Sequence, residues 1–140
     1  MSEFLRRFAR QFSALNKDNL QNLGELYSDD IHFTDPLHEV QGLAQLRDYF
    51  GELYANVSEL RFDFHGFDQI GDCEGYLRWV MSYRHPRLAG GRVIRVSGCS
   101  HLLWHDKVYR HRDYFDAGAL LYEHLPVLGR VIAWLKRRMG

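Results

Sequence analysis

Two cysteines, three prolines and an even balance of 18 basic and 18 acidic residues leave several protein classes without support in this 140-residue chain. Cys73 and Cys99 make no disulfide framework of the kind that staples small secreted domains, so buried, reduced thiols and a cytoplasmic setting are expected. A formal net charge of zero removes any chain-wide electrostatic reason to bind nucleic acid. No run of apolar residues is long enough to cross a bilayer. The opening MSEFLRRFARQF is basic and amphipathic, but it lacks a long apolar core and a small-residue cleavage site and does not read as a secretory signal. The chain contains no Gly-x-Gly-x-x-Gly, Gly-x-Ser-x-Gly, His-Glu-x-x-His or Cys-x-x-Cys spacing. Nucleotide, serine-hydrolase and metal chemistry are therefore unsupported, and neither a cofactor nor a metal is expected.

What is present is a hydrophobic share of 46% and an aromatic share of 14%, enough for one domain with its own core. Phe4, Leu5, Phe8, Phe12 and Leu15 recur at helical spacing between arginines. Asp18 can cap a second helix carrying Leu20, Leu23, Leu26 and Tyr27, which Ser28-Asp29-Asp30 would end. Ile31 and Phe33 flank His32 in a short extended piece closing at Asp35-Pro36, and Gly42 precedes a third helix through about Tyr54. The period then changes to two. Leu60, Phe62 and Phe64 alternate with Arg61, Asp63 and His65, and further strands are expected over Glu74–His85, Arg92–His105 and Lys107–Phe115. Helices followed by successive antiparallel strands imply an α+β domain.

Three patterns carry a family resemblance. LYSDDIHFTDPLHEVQGLAQLRDYF, Leu26 to Phe50, runs helix, short strand, acidic residue before Pro, then Gly opening a helix. HDKVYRHRDYFD, His105 to Asp116, closes on a His/Asp/aromatic cluster, and the order of helices before strands covers Phe4 to Asp116. Together they resemble the nuclear transport factor 2-like superfamily and its SnoaL-like polyketide cyclase and ketosteroid isomerase-like group. The resemblance implies a cone of N-terminal helices packed on a strongly curved antiparallel sheet enclosing a pocket. It implies one SnoaL-like domain over residues 1–140, with 117–140 an extra C-terminal helical segment. It also implies cofactor-free proton transfer on a small apolar molecule.

Asp35 occupies the place where a resembling isomerase would carry its proton-abstracting carboxylate, and it equally suits an Asx turn before Pro36-Leu37. His111 and Asp113, two apart on a strand, share a face and can tune one another as an acid–base unit, or form a structural ion pair. Tyr27, Tyr49, Trp79, Tyr83, His101 and Trp104 are candidate pocket walls, with core packing as the plainer use of the aromatic residues. No convincing oxyanion hole is visible. The basic face of the terminal stripe Val127–Leu135 suits a docked helix, a partner-binding helix or peripheral membrane contact. Two functional readings result: a pocket protein performing cyclase- or isomerase-like chemistry, and a non-catalytic dimeric or partner-binding module. A homodimer, joined through the open sheet face, is the expected assembly.

Overall fold

The helical pattern at the N-terminus becomes α1, Glu3–Ser13, which buries Leu5, Phe8, Ala9 and Phe12. The computed structural model describes residues 3–116 together with 134, 135 and 137–139, so the expectations for the 117–140 segment lie largely outside the described residues. After α1, three asparagine side-chain bonds secure the chain reversal: Asn19 Oδ1 accepts from Asn16 N (2.6 Å), Asn16 Oδ1 accepts from Asp18 N (2.8 Å), and Asn19 Nδ2 donates to Ala14 O (2.9 Å). The second helix is shorter than its spacing suggests. A 3₁₀ turn, Leu20–Asn22, leads into the four-residue α2, Leu23–Leu26, with no side-chain cap.

Ser28-Asp29-Asp30 does not end a helix; it lies inside strand β1, Tyr27–Thr34. Tyr27 and Ile31 are both buried, a four-residue spacing that mimics a helix. Residues four apart also share one face of an extended chain, so the same spacing serves a strand. The short β2, Glu39–Gln41, pairs back on β1. Gly42 then takes φ 89°, a left-handed value that favours glycine, and starts α3, Leu43–Asn56, which buries Leu46 and Phe50.

Four long strands follow: β3 (Ser58–Gly71), β4 (Glu74–Arg84), β5 (Ile94–Trp104) and β6 (Val108–Phe115). On β4 the row Leu77, Trp79, Met81 and Tyr83 is buried, as its alternation implies. A register shift between Leu103 and Trp104 against β6 lets Val108 be buried too, although alternation alone would place it with exposed Arg110.

The expected strongly curved, antiparallel, pocket-enclosing sheet is not what forms. The six strands run β2-β1-β6-β5-β4-β3 in an open mixed sheet, with β2 and β3 as separate edges and β1 parallel to β6. Alternation reports which side chains share a face, and the direction of a neighbouring strand leaves no trace in it. The helices cover one face, where α1 packs on β3 and β4, and α3 on β1, β2 and β3. Phe12 sits at the centre, edge-on to Phe50, Phe62 and Phe64 at 5.9, 5.2 and 6.1 Å. Burying each such ring contributes about 1.5–3 kcal/mol.

Candidate functional site

Two polar clusters face the covered side of the sheet. The first is carried by β1, β4, β5 and β6 and is a connected chain. The Tyr27 hydroxyl lies 2.8 Å from His111 Nδ1, and His111 Nε2 lies 2.6 Å from Asp113 Oδ1. Ser100 donates to the same Asp113 oxygen, and Trp79 Nε1 donates to Ser100 Oγ at 2.9 Å. A carboxylate only accepts, so His111 Nε2 carries a proton and, in the neutral imidazole, Nδ1 accepts from Tyr27. Burial first, then the charge of Asp113 and the neighbouring Tyr54, raises the Tyr27 phenol well above its ordinary pKa, so it remains a neutral hydroxyl. The cavity beside this chain holds only about 10 Å³ and is walled by Phe8, Phe12, Phe62 and Phe64. That is room for about one water.

The second cluster stands at the end of β1. Asp35 Oδ1 accepts from the backbone N–H groups of Leu37 (2.8 Å) and His38 (2.7 Å), while Asp35 N donates to His38 O at 2.9 Å. This is the Asx turn that the Asp-Pro pair suggests. Tyr49, from α3, donates its hydroxyl to Asp35 Oδ2. His38 Nδ1 comes within 3.4 Å of Asp35 Oδ1, and its ring lies 4.8 Å from that of Tyr49. The Asp35 side chain is 3% exposed and that of His38 51%, so the imidazole, and not the carboxylate, meets solvent.

A pocket of about 350 Å³ opens beside this second cluster, between α3 and the ends of β3 and β4. Leu53, Leu60, Met81, Tyr83 and Leu88 give it apolar walls, and His38, Tyr49 and His85 bring polar groups to it. His85 Nδ1 accepts from Arg87 N at 3.1 Å, which leaves the Nε2–H as the group free to act. Burial, then the bond to Asp35, then the charges of Asp35 and Asp113, raises the pKa of Tyr49, and burial pushes Tyr83 up to about 12. The pocket therefore presents phenols that stay protonated, beside an imidazole.

The sequence candidates thus divide. His111, Asp113, Tyr27 and Trp79 come together in the inner chain; Asp35, Tyr49 and Tyr83 come together at the pocket. Phe33 lies between the groups, with its ring 4.7 Å from His111 and 5.6 Å from Tyr49. Two candidates join neither cluster. His101 points to the opposite face of the sheet and pairs with Glu74 at 2.7 Å, and Trp104 stacks on Phe4 at 4.3 Å beneath α1. Cys73 is exposed, contrary to the expected burial, and both cysteines are free. Among the described residues no cluster of three or more His, Cys, Asp or Glu is placed to hold a metal, and no helix is long and apolar enough to cross a membrane.

Sequence reasoning missed His38 and His85. The signal for His38 was its place three residues after Asp35, where an Asx turn brings i and i+3 together. Nothing local links it to His85, 47 positions later.

The fold recurs in solved proteins. A protein of ketosteroid isomerase-like fold from Catenulispora acidiphila DSM 44928, solved in complex with trimethylamine, superposes with a TM-score of 0.73 at 15% identity, covering 89% of this chain and 94% of that one. TsrD from Streptomyces laurentii gives 0.74 at 20% identity, covering 89% and 96%. A nuclear transport factor 2-like protein of unknown function from Exiguobacterium sp. 255-15 gives 0.66 at 18%, covering 81% and 98%. At these identities the likeness is one of fold. No curated protein matches the chain. The model of the SnoaL-like domain matches residues 6–111, which include the second cluster and all of the first except Asp113. The chain belongs to the SnoaL-like domain family and shares its fold with nuclear transport factor 2-like proteins.

Proposed function

We propose that this protein binds a small, largely apolar molecule in the pocket between α3 and β4 and moves a proton on it without a cofactor, in a cyclase- or isomerase-like reaction. The observation that carries this reading is the half-exposed His38 imidazole at an apolar pocket, backed by a buried carboxylate that also holds Tyr49. Proton transfer beside a carbonyl needs a base within reach of the C–H and a walled site that limits water. His38 is the proton acceptor and donor. It takes the proton from the carbon next to the carbonyl and returns it to the conjugated position, so the proton count balances over one turnover. Asp35 is a positioning residue: it stands behind His38 and Tyr49 and fixes the turn that carries the imidazole. The His111–Asp113 pair lies deeper, along the row Tyr83, Met81, Trp79 of β4, and braces the inner end of the cleft.

The test is deuterium uptake. Flat ketones with acidic α-hydrogens are incubated with the protein in D₂O and followed by mass spectrometry, with affinity measured in parallel. Wild type should exchange the α-hydrogens faster than buffer, and His38→Gln should lose that gain while keeping affinity within about threefold. Binding without any exchange by wild type would instead favour the non-catalytic module.

A further inference from the structure

We propose that His85 donates a hydrogen bond to the carbonyl oxygen of the ketone and stabilises the enolate that forms when His38 removes the proton. The inference rests on the pocket reading above and supplies what that reading lacks, a partner for the developing oxyanion. As the proton leaves, the C–H bond pair becomes a C=C bond and the carbonyl π pair moves onto oxygen. The carbonyl reforms when His38 returns the proton, and His85 keeps its own proton throughout. Without His85 the charges are served on one side only. His38 becomes a cation, and Asp35 Oδ1 stands 3.4 Å from its Nδ1. The enolate oxygen needs a donor of its own. Tyr49, on the same pocket, has its hydroxyl committed to Asp35 Oδ2. Among the described residues no arginine or lysine lines the pocket, and Arg84, next to His85 in the chain, is held by Glu59 and Gly91 O.

The backbone after β4 prepares this donor. His85, Pro86, Arg87 and Leu88 form a turn closed by the Leu88 N–H, which donates to His85 O at 3.1 Å. Pro86 stands second in it, where its fixed φ suits a turn. Inside the turn the Arg87 N–H donates to His85 Nδ1 at 3.1 Å. A nitrogen that accepts carries no proton, so the single N–H of the ring is at Nε2. Among the described residues that N–H has no partner, and the half-buried ring lines the pocket beside the buried Leu88. The turn Asp35-Pro36-Leu37-His38 is built likewise, its first side chain accepting from the N–H two residues on. One turn thus presents the imidazole that takes the proton, and the other the N–H that meets the negative charge. A donor held in place needs no reorientation as that charge appears, and such a donor accelerates reaction on the order of a hundredfold.

Carbon NMR of β-tetralone, ¹³C-labelled at its carbonyl and bound to the full chain, tests this independently of turnover. A hydrogen bond to the oxygen draws electrons from the carbonyl carbon and moves its resonance downfield. The wild-type complex should show that displacement relative to His85→Phe, whose α-hydrogen exchange should fall about a hundredfold. His85→Asn keeps an acceptor for the Arg87 N–H and an N–H of its own, and should recover part of both. Circular dichroism melts confirm that each variant is folded. In the wild type, the ¹⁵N resonance of His85 Nε2 should move when the ketone binds, a readout that needs no variant. An identical carbonyl resonance in wild type and His85→Phe, an unmoved Nε2, or a displacement lost only in Tyr83→Phe would each overturn the proposal. Full exchange by His85→Phe would also overturn it while leaving His38 as the base. A downfield carbonyl in a wild type that exchanges no α-hydrogen would uphold His85 and remove His38. A ketone that does not bind overturns both.

Discussion

The Tyr27 hydroxyl and His111 Nδ1 lie 2.8 Å apart across 84 residues of chain, so the first residue of β1 sets the orientation of an imidazole on β6. His111 in turn holds Asp113, which also accepts from Ser100. Replacing His111 by Leu leaves the Tyr27 hydroxyl without its partner and removes a donor from a nearly buried carboxylate. A loss of about 2–4 kcal/mol in urea unfolding is expected. His38→Gln, at a half-exposed position, should leave the unfolding midpoint almost unchanged. Equal stability losses for the two variants would refute the division between an inner brace and an outer acting residue.

Four tyrosines bear on alkaline stability. Burial pushes Tyr54 and Tyr83 up to about 12, and Tyr27 and Tyr49 are raised as well. Unfolded phenols titrate near 10.0. Below that pH both states keep these protons and stability is independent of them. Above it the unfolded chain binds fewer protons than the folded one, so stability falls as pH rises from about 10 towards 12. Denaturant melts between pH 8 and 11.5 should show a plateau and then a decline, shallower in Tyr54→Phe. Phenolate absorbance rising at one midpoint near 10 for all eight tyrosines of the still-folded protein would contradict this.

Gly98 is where the backbone of β5 admits the Trp79 ring. A Cβ built there would stand 2.5 Å from Trp79 Cη2 and 2.7 Å from Tyr114 O. Gly98→Ala should destabilise the protein by about 1–3 kcal/mol, because the indole must move and the backbone oxygen cannot readily do so. It should also weaken the Trp79–Ser100 bond, visible as a red shift of Trp79 fluorescence when Trp104 and Trp134 are replaced by Phe in both proteins compared.

Leu53 offers a way to fill the pocket without touching its polar groups. Leu53→Trp places a larger ring against Leu60, Met81 and Leu88, and should lower ligand affinity by tenfold or more. Because Leu53 is only partly buried, the thermal midpoint should move by no more than about 4 °C. Undiminished affinity would place the ligand elsewhere.

Much of this fold was legible because it is local. Phe8 and Phe12 on α1, and Trp79 and Tyr83 on β4, follow periodicities that a single strand or helix imposes, and their burial matches. The pairing of His111 with Asp113 was legible for the same reason, since residues two apart on a strand share a face. What stayed hidden was long-range. The parallel contact of β1 with β6 joins Phe33 to His111, and no residue in either strand announces its partner's direction. Tyr27 and Ile31, four apart, share a face in a strand as they would in a helix, so their spacing does not distinguish the two. His101, expected in the pocket wall, alternates with the buried Ser100 and Leu102 and so lies on the opposite face of the sheet. The pocket itself depends on α3 meeting the end of β4, and His85 enters it only through that contact.

Methyl-selective NMR of the full chain with a bound ketone tests most directly where the small molecule sits. Binding in the α3–β4 pocket predicts the largest shifts at Leu53, Leu60, Met81 and Leu88, with Ala9, in the groove beside α1, unmoved. Shifts centred on Ala9, with those four methyl-bearing residues silent, would contradict the account.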